Sequence, residues 1–417
     1  MNQGTTQSVS TRFLRFIICL YATLPFLQTQ AQYHTETMSD EVKTIQLVAN
    51  NDLYRPPIIE LNTDDFITLK FDKLNVEETQ LRYRLIHCNT DGTPSPLSEM
   101  EYMQGFNDQP IEDFRFSENT TVKYIHYNLT IPNEAVQLRL SGNYAIGVFT
   151  LDNPDSVILQ AHFIVTEPKV HIKASLSGNT DFDIQKAHQQ LHLEVLHETL
   201  ALRDAAREIN VYIYQNTHFN EKRSDIRPSF VFPNRIVYEH QESLIFEGGN
   251  EYRRFETINK SANGLNVAST SYKSPYFRVR LLTDRCRANN KRQYDEDQNG
   301  RFFIRNTQGY DADVDADYFM VHFTFKSQPL QQPLFLYIAS NYSPLIYNSA
   351  DGNYEVDVLL KQGSYNYQFV TKDKDGYSTE HTEGSFFDTE NEYIIIVYYR
   401  PVGERYDRAV GWKVIKS

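Results

Sequence analysis

Period-two alternation of apolar and polar side chains recurs along most of this chain. Leu81, Tyr83 and Leu85 alternate with Arg82 and Arg84, and Val136, Leu138 and Leu140 alternate with Gln137 and Arg139. Both runs predict strands with one wet face. Ile125, Tyr127, Leu129 and Ile131 form a further one-sided run, as do Tyr144, Ile146 and Val148, and 157–165 makes a longer strand that stops at Thr166-Glu167-Pro168. Turn clusters such as Asp91-Gly92-Thr93-Pro94 and Ser141-Gly142-Asn143 separate them. A fresh alternation starts at Val170, Ile172, Ala174 and Leu176, so a boundary is expected at Pro168. Beyond it, strands are expected at 191–195, 209–214, 235–238 and 277–281, with 196–208 the only segment that has the composition of a short helix.

The stretch 283–317 is polar and carries Asp295, Glu296 and Asp297, then Asp311, Asp313, Asp315 and Asp317. It reads as a solvated connector with one hairpin. Afterwards Phe319, Val321, Phe323 and Phe325 alternate with Met320, His322 and Thr324. Tyr354, Val356, Val358 and Leu360 then run through Lys361-Gln362-Gly363-Ser364 into Tyr365, Tyr367 and Phe369, which predicts a hairpin, and 393–399 supplies a last strong strand. The expected organisation is all-β, tandem immunoglobulin-like antiparallel sandwiches. An N-terminal sandwich covers 32–167, a middle β domain 168–282, the connector 283–317, and a C-terminal sandwich 318–417.

The first 31 residues change the cellular picture. Arg12 and Arg15 precede an apolar run from Phe16 to Leu27 and a small-residue pattern ending at Ala31, the layout of a cleaved export signal. The run is shorter than the roughly 20 residues a spanning helix needs, so no direct membrane insertion is expected. Removing 1–31 leaves 39 basic against 54 acidic residues, a net charge of −15 compared with −13 for the whole chain. That balance argues against nucleic-acid binding. Cys88 and Cys286 then remain, too few for a disulfide framework in an exported chain of this size. The 28 Tyr and 26 Phe against one Trp fit pleated, half-buried surfaces.

Candidate chemistry is sparse. The chain has no G-x-S-x-G elbow, no phosphate-cradling loop, no H-E-x-x-H and no paired C-x-x-C, so no catalytic residue and no cofactor is assigned. His188, His192 and His197 are the closest histidine cluster. On a strand, positions four apart are about 13 Å apart, too far for one ion. Asp295, Asp297 and Asn299 before Gly300 match the first half of a calcium loop, but position twelve is Asn306 and not Glu, and Asn299-Gly300 is equally a hairpin turn. The C-terminal segment, with Ala339-Ser340-Asn341-Tyr342, Asp351-Gly352-Asn353-Tyr354 and 363–370, resembles glycogen-binding carbohydrate modules. Tyr342 and Tyr377 are the candidates for stacking on sugar, and a periplasmic or surface glycan-binding protein is the alternative function.

A second resemblance is more extensive. Arg84-Leu85-Ile86-His87-Cys88-Asn89-Thr90-Asp91-Gly92, Tyr102-Met103-Gln104-Gly105-Phe106, 120–127, Leu140-Ser141-Gly142-Asn143-Tyr144 and 163–170 are similar to the plug protein family of the type IX secretion system. So are Phe246-Glu247-Gly248-Gly249-Asn250-Glu251-Tyr252-Arg253, 297–300, 361–370, Tyr398-Tyr399-Arg400-Pro401 and Arg405-Tyr406-Asp407-Arg408. These stretches run in order along nearly the whole mature chain. The most evident departure is Gly92, where the family pattern leads one to expect Trp. The resemblance implies a non-enzymatic periplasmic protein of the Bacteroidetes type, peripheral to the inner face of the outer membrane. Its partner would be the large translocon barrel of that membrane, whose periplasmic mouth it would close while no cargo passes.

Overall fold

A computed structural model describes residues 35–417 apart from 78, 220, 291, 293 and 375. The expected export signal lies outside the described residues. Within them the regular structure is nearly all sheet, mostly antiparallel, and the α-helices are single turns of four residues. No helix among them is long and apolar enough to cross a membrane.

The first unit packs two sheets face to face. Val42–Ala49, Ile67–Lys73, Ile125–Ile131 and Asp113–Phe116 form one; Leu81–Cys88, Gly142–Thr150 and Asn153–Thr166 form a meander in the other. Leu81, Tyr83 and Leu85 point into the shared core while Arg82 and Arg84 lie at its margin, as the alternation requires. The second unit opposes His171–Ser177, His188–Leu196, Arg235–Tyr238 and Phe230–Phe232 to a sheet built from Ile209–Gln215, Glu392–Tyr399 and Arg408–Lys416. The third unit runs from about residue 253 to 386, with one sheet centred on Gly363–Lys372 and the other on Tyr318–Lys326.

Three expectations land elsewhere. The strand 393–399 was expected in the C-terminal sandwich but completes the second unit. Tyr393, Ile395 and Val397 face the second core, while Ile394, Ile396 and Tyr398 pack with Ile58, Ile164 and Tyr214 on the other side. A strand covered on both faces reads as a continuous apolar run, which carries no record of which sheet it joins. Conversely, 277–281 was expected in the middle domain, and Tyr276–Leu281 pairs in the third unit, parallel to Tyr318–Lys326. Finally, 361–364 is not a hairpin turn. Asn353–Lys361 and Gly363–Lys372 belong to opposite sheets, so the chain arches across the core. Gly363 is required there, because a Cβ would come within 2.3 Å of the Phe303 carbonyl oxygen. The 196–208 helix shrinks to Ala205–Glu208, started where the Asp204 side chain accepts from the Ala206 amide.

The first and second units also share a sheet. Asn153–Thr166 lies beside Arg408–Lys416 with Thr166 opposite Ala409, and the Glu167 and Lys169 amides continue the contact to the Ala409 and Val410 carbonyls at 2.9 and 2.7 Å.

The second core therefore depends on the chain's last strands. Ile395→Ala should lower stability by about 2–5 kcal/mol, whereas Ile346→Ala, on an exposed strand of the third unit, should change it by less than about 0.5. Urea unfolding of the two variants against the parent checks this.

Candidate functional site

Buried polar groups concentrate where the units meet. Between the first and third units, Asp72 is fully buried on Ile67–Lys73 and accepts from Lys361 Nζ, Tyr318 Oη and His126 Nδ1, each at 2.7 Å. Lys361, at the arch, also donates to the Asp313 carbonyl at 2.7 Å and sits 4.2 Å from the centre of the Tyr124 ring. Burial lowers its pKa, with Asp72 opposing. Thr44 bonds Tyr318 Oη at 2.6 Å from a left-handed backbone (φ 55°) at a bulge in Val42–Ala49, a costly conformation for a β-branched residue.

The acidic run 311–317, expected to be a solvated linker, is part of the same joint. Asp317 is fully buried and accepts from the Thr121 and Val122 amides at 2.8 and 3.1 Å and from Lys260 at 3.1 Å. Asp313 pairs with Lys70 at 3.1 Å and Asp311 with Arg115 at 2.5 Å. Asp311, Asp313 and Asp317 each meet a cation distant in sequence, while Asp315 accepts from the nearby Asn306 side chain and the Asp311 amide.

The other two joints use the same device. Between the first and second units, buried Asp407 accepts from the Thr90 amide at 3.1 Å, Tyr398 Oη donates to Asn143 Oδ1 at 2.7 Å, and Arg408 grips Glu167 through two bonds at 2.7 and 3.1 Å. Gly142 (φ 134°) packs so tightly here that a Cβ would meet His87 Nε2 at 2.6 Å. The His87 ring is buried against Tyr102, Tyr144 and Tyr406, with Ser95 and the Ser141 carbonyl on its two nitrogens. Burial pushes its pKa down to about 4. Between the second and third units, Arg301 pairs with buried Glu392 at 2.6 Å.

A cavity of about 480 Å³ opens at the meeting point of all three units, lined by Gln46 and Arg55 of the first, His218 and Glu221 of the second, and Arg301 and Tyr342 of the third. His218 stacks on Tyr337 at 4.2 Å, with Tyr252 Oη 2.9 Å from Nε2 and Tyr342 Oη 3.2 Å from Nδ1. The Tyr342 hydroxyl also contacts Glu221. A neutral ring protonated on Nδ1 satisfies this chain, and burial lowers the His218 pKa.

The residues singled out from sequence fall as follows. Tyr342 and Tyr377 come together, but their rings stack on each other at 3.8 Å and 4° apart from parallel, so the mutual faces a sugar would need are occupied. Asp295 pairs with Arg254 at 2.5 Å. Asp297 accepts from the Tyr252 and Asn299 amides, and burial raises its carboxyl to about 7. Asn299 and Gly300 take left-handed φ of 52° and 85°, and a Cβ on Gly300 would meet Thr217 Oγ1 of the second unit at 2.5 Å. That turn thus seats one unit against another. His188 and His192 pair with Asp183 and Glu239 at 2.8 and 2.9 Å, and His197 is buried. Among the described residues no three His, Cys, Asp or Glu are grouped to hold a metal ion. Asp72, Asp317 and Lys361 carry no signal in the sequence, since a charge in a strand, a polar connector or a turn looks solvated until its partner is known.

Residues 42–167 match the family model described as the type 9 secretion system plug protein first domain, a narrower stretch than the motifs that carry the resemblance. No curated protein matches the chain. A crystal structure of a hypothetical protein from Parabacteroides merdae ATCC 43184 is 40% identical with a TM-score of 0.91, over 93% of this chain and all of that one.

Two outcomes follow from the joints. Lys361→Met should cost about 3–5 kcal/mol by stranding Asp72, and adding Asp72→Asn should recover more than half of that in a double-mutant cycle followed by urea unfolding. The folded-state pKa of His87 lies below its ordinary 6.5, so its contribution is complete above that pH and falls away as pH drops toward 4, by about 3 kcal/mol. Unfolding midpoints at pH 7 and 4.5 should therefore differ less in His87→Phe than in the parent.

Proposed function

This chain belongs to the type 9 secretion system plug protein family, and from that premise we propose that it acts as a non-enzymatic stopper of the secretion channel. After export directed by residues 1–31, it docks on the periplasmic mouth of the outer-membrane translocon barrel and seals it while idle. A channel wide enough for folded cargo leaks solutes unless something closes it. A stopper must present a broad surface that holds its shape under load, because ordering loops on docking would be charged against the binding energy. The observation that supports this reading most directly is the set of buried polar joints, Asp72 with Lys361, Asp407 with Thr90 and Arg301 with Glu392, which tie three sandwiches into one body.

Affinity isolation of the tagged protein from detergent-solubilised outer membranes should recover a very large barrel protein, and the protein added to one side of that barrel in a planar bilayer should lower its conductance. Repeated recovery of the chain alone, with conductance unchanged, would sink the proposal.

A further inference from the structure

Phe230–Phe232 is the outermost strand of the second unit's sheet, bonded on one side to Arg235–Tyr238 and flanked on the other by no strand among the described residues. Successive side chains of a strand point to opposite faces, so Phe230 and Phe232 share one face and Val231 takes the other. All three are nevertheless open to solvent, at 54%, 40% and 56%. Neither face rests on a core. Sheets ordinarily blunt such an edge with lysine or by covering it, because a free apolar edge templates pairing with another chain. Here Pro228 and Pro233 bracket the strand instead. Proline brings no N–H to a ladder, so an added strand can pair over about three residues and growth cannot propagate.

Three occupants are conceivable. A lipid surface would take the side chains but leave the backbone edge unpaired, at a cost of several kcal/mol for each group buried in hydrocarbon. A second copy would place like charges together. From Ile226 to Ile236 the only charged side chains are Arg227, before the strand, and Arg235, across the ladder from Phe232, so a two-fold antiparallel pairing about Val231 sets the Arg227 end of one copy beside the turn end of the other, where Arg235 stands. Arg227 is exposed, while Arg235 lies 4.7 Å from the Phe232 ring centre and only 3.7 Å from Glu194. The same two cations favour a ligand with acidic ends.

We infer that the free edge of Phe230–Phe232 receives a short extended segment of a partner protein, apolar at its centre and carrying carboxylates at both ends. Pairing of main-chain groups supplies the affinity and the two arginines set the register. The inference stands apart from the plug reading and does not depend on the channel.

A fluorescent peptide of alternating Val and Thr with two Asp at each end is the probe, titrated against the full chain by anisotropy. Lysine-ended and alternately N-methylated versions serve as comparisons. The Asp-ended peptide should bind and slow hydrogen exchange in 229–232, the lysine-ended one should bind at least about tenfold more weakly, and the N-methylated one should lose binding. Val231→Lys, at an exposed position that circular dichroism should show folded, should weaken the Asp-ended peptide at least about tenfold. Equal binding of all three peptides, or none at millimolar concentration, overturns the proposal. So does binding of phosphatidylglycerol vesicles, or dimerisation in sedimentation, if Val231→Lys abolishes that instead.

Discussion

A strand that is apolar on both faces has to be covered on both faces, and Glu392–Tyr399 imposes that condition on the whole chain. All eight of its residues are buried. Its odd-numbered residues Tyr393, Ile395 and Val397 complete the second core, and its even-numbered residues Ile394, Ile396 and Tyr398 need a second cover, which Ile58 and Ile164 of the first unit supply. The first unit cannot leave without returning that face to water. Each large aliphatic side chain so exposed would cost about 1.5–3 kcal/mol. The first and second units are thus joined by the same force that builds their interiors, and the parallel contact of Thr166 with Ala409 extends the hydrogen-bonded sheet across the seam.

The third unit is held differently. Among the described residues no sheet crosses its contact with the first unit; the seam holds the Asp72–Lys361 pair with Tyr318 and His126, and Asp317 under the 120–122 loop. Taking such charges out of water is expensive, and a matched pair returns the cost only when further hydrogen bonds serve both of its groups. Asp72 meets that condition with three donors on its two oxygens. A carboxylate with three fixed donors accepts few arrangements, so this joint fixes how the third unit sits against the first. The strained φ of Thr44 belongs to this account, because the bulge that creates it aims the hydroxyl at Tyr318.

The sequence displays local facts well and partnerships poorly. Alternation at 81–85 identifies a strand and its wet side, and Asn299-Gly300 identifies a left-handed turn, because both are properties of a few adjacent residues. At 361–364 a hairpin and an arch have the same turn residues; what decides between them is Gln362, buried and exchanging bonds with Asp317 at 2.8 and 2.9 Å, 45 positions away. The Asp311 to Asp317 run looks solvated for the same reason, since Lys70, Arg115 and Thr121 lie about 200 residues earlier. Tyr342 and Tyr377, the candidates for stacking on sugar, lie against each other, a partnership that neither residue's local sequence displays.

That blindness to partnership also explains what the resemblance motifs are. His87, Thr90, Gly142, Asn143, Asp407 and Arg408 meet at one joint, Thr121, Val122 and Lys361 at another, and Gly248, Gly300 and Arg400 stand at or beside contacts of the second unit. These residues do not converge on one cleft; they are spread over the seams. What these motifs have in common is a place at a joint, so they hold the shape of the chain. Side chains on the free surfaces, such as Phe230 and Val231, stand outside these joints and can change without disturbing the mutual orientation of the sandwiches.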